Sequence, residues 1–139
     1  MPAARFYNCG IEVVLSGEAY PVGRAVQSAL GSWITVAAPP AAERVADLRK
    51  TYGLDAGESE AILVAEALGN TAVLMDERRG VQCARSRGIF VIRILLIYAN
   101  AKLLGLIGSV QGKLDELRSR GFRLSDSHYR QILESLGEG

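Results

Sequence analysis

The sequence is short of the residues that zinc and covalent chemistry need. It has one histidine, His128, and two cysteines, Cys9 and Cys83, which stand far apart and form no CxxC pair. That argues against a zinc centre of Cys and His, and makes a Ser-His-Asp or Cys-His mechanism a poor bet. The two thiols are expected to be buried or semi-exposed in a reducing cytoplasm. Charge of one sign is also lacking: the formal net charge is +1, so no overall field advertises a nucleic-acid or membrane partner. The start, Met1-Pro2-Ala3-Ala4-Arg5-Phe6-Tyr7-Asn8, has no apolar segment behind a basic head, so no signal peptide is read. The longest apolar stretch, Gly88 to Val110, is interrupted by Arg93, Asn100 and Lys102. Charged residues near the centre of a membrane span cost roughly 2.5–3.5 kcal/mol each. A buried strand followed by a buried helix explains the stretch better, and no membrane partner is expected.

What is present is an ordinary globular composition: 139 residues, 49% hydrophobic and 22% charged, enough for one domain with a real core. No repeat or low-complexity tract appears. Val22 to Leu30 reads as a helix and Trp33 to Val36 as an edge strand, with Trp33 in the core or an interface; Ala37-Ala38-Pro39-Pro40 is a joint. Ala41 to Tyr52 has its apolar residues on one side and ends at Gly53, a plausible left-handed cap. Asp55 caps a second helix, Ala56 to Leu68, whose Ala61, Val64, Ala65 and Leu68 follow helical spacing. Thr71 to Met75 reads as a strand buried on both faces, and Asp76 stands at its end. Glu77 to Arg87 is expected to be helical, with Val81 and Ala84 inward and Arg78, Arg79, Arg85 and Arg87 outward. Ile89 to Ile92 forms another buried strand, Leu95 to Leu104 an apolar helix, Val110 to Arg120 a helix capped by Ser109, and Ser125 or Asp126 caps a last helix that ends near Leu136. Strand and helix alternating with short connections predict an α/β fold with a parallel sheet covered by helices.

Ligands of open parallel sheets bind beyond the carboxyl ends of the strands. Asp76 is expected there, and Glu58 and Glu60 open the preceding helix. A carboxylate cluster at that edge suits Mg²⁺ or Mn²⁺ and phosphodiester hydrolysis without histidine. The same residues also serve plain structural ends: acids favour a helix start, and Asp76 can cap the helix after it. The arginines are either a solvated helix face or, beside a metal, phosphate contacts.

The run Gly53-Leu54-Asp55-Ala56-Gly57-Glu58-Ser59-Glu60-Ala61-Ile62, then Ala72-Val73-Leu74-Met75-Asp76-Glu77-Arg78-Arg79-Gly80, resembles a PIN-like family of prokaryotic proteins related to VapC-type toxins. The resemblance continues through Val91-Ile92, Ala101 to Ile107 and Gly121-Phe122-Arg123-Leu124-Ser125, and covers about residues 11–136 of a single domain. It implies a three-layer α/β/α fold and, where active, Mg²⁺- or Mn²⁺-dependent ribonuclease activity. Family acids fall on Glu12, on Glu60 with Glu58 as its alternative, and on Asp76; Arg78, Arg79 and Arg85 would contact RNA. Two departures stand out. The family's opening strand with its terminal aspartate would lie before Glu12, where Met1 to Ile11 contains no acid. A Gly-Thr pair common in the family after the strand matching Val91-Ile92 is here Arg93-Ile94. The expectation is an N-terminally truncated nuclease scaffold, weak or inactive, whose open sheet edge is covered by self-association or an antitoxin. The alternative is a non-catalytic interaction module.

Overall fold

A computed structural model of the chain describes residues 21–69 and 71–139, together with the backbone of strand residues 6–8. It divides into two compact units, Met1–Val91 and Ile92–Gly139, and each has its own core.

The first unit contains β1 (Phe6–Asn8), α1 (Pro21–Ala29), β2 (Ile34–Val36), α2 (Ala42–Tyr52), α3 (Ala56–Leu68), β3 (Ala72–Leu74) and α4 (Arg78–Ser86), and runs into β4 (Phe90–Ile92). Strands β1 and β2 pair in parallel, with Phe6 opposite Ile34 and Asn8 opposite Val36. Strands β3 and β4 pair with each other, with α4 between them in sequence. The expected α/β class therefore holds. Helix α2 stops at Gly53, whose φ of 66° lies in the left-handed region open to glycine, and the Gly53 amide bonds back to the Arg49 carbonyl. Helix α3 starts with a reciprocal cap between Asp55 and Glu58.

The core of this unit joins Leu48 of α2, Ile62, Leu63 and Ala65 of α3, Val73 and Met75 of the β3 segment, Val81 and Ala84 of α4, and Val91 of β4. Burying each large aliphatic chain contributes about 1.5–3 kcal/mol, so these positions hold the unit together. Gly80 lets α4 come close: a Cβ there would collide with the Met75 sulfur and lie 3.3 Å from Glu58 Oε1.

Several burial expectations are corrected. Strands β3 and β4 are covered on one face, not two. Val73 and Val91 enter the core, while Leu74 and Phe90, the latter 66% exposed, alternate away from it. Trp33 is 52% exposed and so is not a core residue. Arg87 is only a quarter exposed: it turns back onto α3 and binds Glu66.

The second unit contains α5 (Ile94–Leu103), α6 (Val110–Ser119) and α7 (Asp126–Ser135). Val110, Leu114 and Leu133 are its buried centre, with Leu95, Tyr98, Ile107 and Tyr129 packed around them. Ser109 caps α6 and Ser125 caps α7 through their hydroxyls. The expected buried helix is corrected here too. No residue of α5 is fully buried, and Leu103, Leu104 and Leu106 are each about three-quarters exposed. One face of α5 meets the small core, which leaves its remaining apolar side chains uncovered. Glu138 closes this unit. Its carboxylate binds Lys102, accepts from Ser109 Oγ at 2.9 Å, and takes the Val110 and Gln111 amides at 2.7 and 2.8 Å. No helix among the described residues is long and apolar enough to cross a membrane.

Candidate functional site

The acidic candidates sit on three segments. Asp76 follows β3 and is half-buried. Glu58 is the third residue of α3. Its Oε2 accepts from the Asp55 amide at 3.0 Å, while its own amide donates to Asp55 Oδ1 at 2.7 Å. One Glu58 oxygen is thus committed to the helix start, and the other lies beside Gly80 in the first turn of α4. The start of α3 therefore meets the chain just after Asp76. Glu60 is half-buried and lies just past the first turn of α3. At 100° per residue it projects about 200° around the helix from Glu58, so the two carboxylates serve different sides. Glu12 lies outside the described residues, as does Cys9. Among the described residues, no three His, Cys, Asp or Glu side chains are gathered closely enough to hold a metal ion. Asp76, Glu58 and Glu60 offer carboxylate oxygens, the chemistry that suits Mg²⁺ or Mn²⁺.

The arginines separate into two kinds. Arg78, Arg79 and Arg85 are exposed on α4. Arg79 lies over the end of α2: its guanidinium donates to the Gly53 carbonyl at 3.4 Å and occupies the space a Gly53 side chain would need. Arg87 is structural. It grips Glu66 through two nitrogens, at 2.5 and 3.1 Å, and Arg44 adds a third contact at 3.2 Å. The Arg87 hydrogen bond, ahead of the other effects, holds the Glu66 carboxyl below its usual range, and Glu66 raises Arg87 in return.

The residues near Arg79 were not legible as a site. Thr51 and Tyr52 of α2 face Arg79, Gln82, Cys83 and Ser86 of α4 across an open groove of about 450 Å³. The spacing 79, 82, 83, 86 would have put the α4 residues on one helix face, but nothing in the sequence brings α2 opposite them. Burial pushes the Cys83 thiol up, which keeps it neutral and a poor nucleophile. His128 stays at the surface, with its ring nitrogen Nδ1 3.1 Å from Ser125 Oγ.

A family model described as a PIN domain matches residues 10–138 of this chain. No curated protein and no solved structure matches it. The matched span takes in both units and every acidic and arginine candidate named above, and on that ground the chain belongs to the PIN domain family.

Proposed function

We propose that this PIN domain is a nuclease scaffold directed at RNA, with Asp76 and Glu60, or Glu58 in its place, joined by Glu12, as the carboxylates that hold Mg²⁺ or Mn²⁺. PIN domains are generally nuclease-type and use divalent ions. The observation that carries the reading is the meeting of two acid-bearing segments. Through the free oxygen of Glu58, the start of α3 rests against the first turn of α4, immediately after Asp76 at the end of β3, while Glu60 leaves the same helix on another side. The bound ion would neutralise phosphate charge and lower the pKa of a water. The rest falls to the chain. Asp76 and Glu60 supply negative charge at a sheet edge, Glu58 fixes the helix that carries Glu60, and the arginines of α4 orient the phosphodiester backbone. The relation to VapC-type toxins, an antitoxin partner and a cytoplasmic setting belong to this same reading.

The test is cleavage of labelled single-stranded RNA with Mn²⁺ or Mg²⁺. Asp76→Asn and Glu60→Gln should each lower the rate about 100-fold or more while leaving the melting temperature within a few degrees. Cleavage that persists unchanged in Asp76→Asn would remove this assignment.

A second reading is favoured by one observation: Leu103, Leu104 and Leu106 stand exposed together at the end of α5. Exposed apolar clusters commonly mark interaction surfaces, which fits a self-associating or antitoxin-binding module. A clean monomer by light scattering at high concentration would count against self-association.

A further inference from the structure

We propose that the groove between the end of α2 and the outer face of α4 is a subsite for one nucleotide of single-stranded RNA, with Tyr52 stacking on the base and Arg79 holding a phosphate. The inference deepens the nuclease reading and rests on it for the identity of the polymer. Its residues are separate from the proposed metal carboxylates.

Four observations support it. The groove holds about 450 Å³, inside the range of roughly 300–1,000 Å³ common for pockets that take small molecules. Its lining carries the chemical mix that unpaired nucleotides use. Tyr52 offers a 40%-exposed aromatic ring, Arg79 a cation, and Thr51, Gln82 and Ser86 polar groups for a base edge or sugar. The two principal groups are already held in place. Arg79 is seated on the Gly53 carbonyl, and Tyr52 is the last residue of α2, immediately before that glycine. Finally, the groove lining carries a cation and no acid, the carboxylates of this region standing outside it, with Glu58 beside Gly80 and Glu66 on Arg87. Arg78 and Arg85 occupy the neighbouring strip of α4, and Arg49 and Lys50 stand in the last turn of α2. The chain as a whole carries only +1, so this concentration of cations is local and suits a strand leading into or out of the groove.

The experiment is fluorescence anisotropy with the full chain, EDTA and a labelled short oligoadenylate, at two salt concentrations, with an RNA duplex as competitor. EDTA separates binding from cleavage. Tyr52→Ala should weaken binding roughly tenfold or more, and Tyr52→Phe should retain most of the affinity because the ring is kept. Arg79→Gln should weaken binding and reduce the salt slope by about 0.7, as loss of one phosphate contact requires on single strands. The duplex should compete poorly, since its bases are already stacked. Melting temperatures of the variants exclude loss of fold as the cause. The proposal fails if the wild-type chain does not bind the oligonucleotide, if Tyr52→Ala and Arg79→Gln bind as it does, or if the duplex competes equally. The two readings fail separately. Cleavage lost in Asp76→Asn but unaffected in KM by Tyr52→Ala overturns the subsite alone. Groove-dependent binding without cleavage overturns the nuclease reading alone.

Discussion

Asp55 and Glu58 hold each other at the start of α3, each accepting a hydrogen bond from the other's backbone amide, at 2.7 and 3.0 Å. The arrangement satisfies two helix-start amides that would otherwise lack partners. Asp55→Ala and Glu58→Ala should each destabilise the chain by about 1 kcal/mol. Because the pair is reciprocal, the double variant should lose less than the sum. Glu58→Gln keeps an acceptor at the same reach and should cost clearly less than Glu58→Ala. Urea titration of the four variants checks this, and full additivity would contradict it.

Gly80 should not tolerate the substitution that usually strengthens a helix. Replacing glycine by alanine in a helix interior ordinarily gains roughly 1 kcal/mol. Here the new methyl would collide with the buried Met75 sulfur and crowd Glu58 Oε1. Gly80→Ala is therefore expected to destabilise by about 1–3 kcal/mol, the usual cost of overpacking. Shortening the obstacle in Gly80→Ala/Met75→Ala should recover part of the clash but add the cost of losing Met75 from the core. Thermal melts of the single and double variants give the comparison.

The Glu66–Arg87 pair should appear as an acid-dependent share of stability. Arg87 depresses the Glu66 carboxyl below its ordinary 4.5. A depressed carboxyl contributes stability that is present above the unfolded-state value and is lost as pH falls through the folded one. The loss thus begins near pH 4.5 and grows below it. Arg87→Gln should remove most of that dependence, leaving the part due to Arg44, and cost about 1–2 kcal/mol at neutral pH, since each side chain remains a quarter exposed. Arg44→Gln should cost less than about 0.5 kcal/mol, because Arg44 is 59% exposed. Denaturant melts from pH 7 to pH 3 measure both.

Glu138 should titrate well below the ordinary glutamate value of 4.5. The Lys102 contact first, then the Val110 and Gln111 amides, hold its carboxyl down at about 2. Its contribution to the second unit is complete above pH 4.5 and is lost as pH falls from 4.5 toward 2. NMR titration of the side-chain carbonyl should place its midpoint near that low value. Glu138→Gln should remove the low-pH transition and loosen the start of α6, seen as faster amide exchange at Val110 and Gln111. An ordinary midpoint would show that the clamp does not form in solution.

Most of the secondary structure was legible because it depends on neighbours in the chain. Asp55, Ser109 and Ser125 announce helix starts through hydroxyl or carboxylate caps. Gly53 announces an end through its left-handed backbone. The position of Asp76 after an apolar run was readable for the same reason. Depth was harder. Apolar runs at Ala72–Leu74, Phe90–Ile92 and Ile94–Leu103 look alike whether one face or two are covered, and here only one side of each meets a core. Periodicity reports which side chains share a face, not what lies opposite it.

From α1 onward the sequence alone determined the order of helices and strands and the carboxylates at their ends, because local hydrogen bonding and spacing dictate these; strand β1 (Phe6–Asn8) was not read, and the PIN resemblance came from the likeness of whole motifs. Tertiary packing decided what each candidate is free to do. It committed one oxygen of Glu58 to a helix cap, turned Arg87 inward to Glu66, and laid Arg79 across the end of α2 beside Tyr52. Those pairings join residues 3, 21 and 26 positions apart in the chain. Only the first is a local cap with a sequence signature; the other two exist because a shared core brings α2, α3 and α4 together.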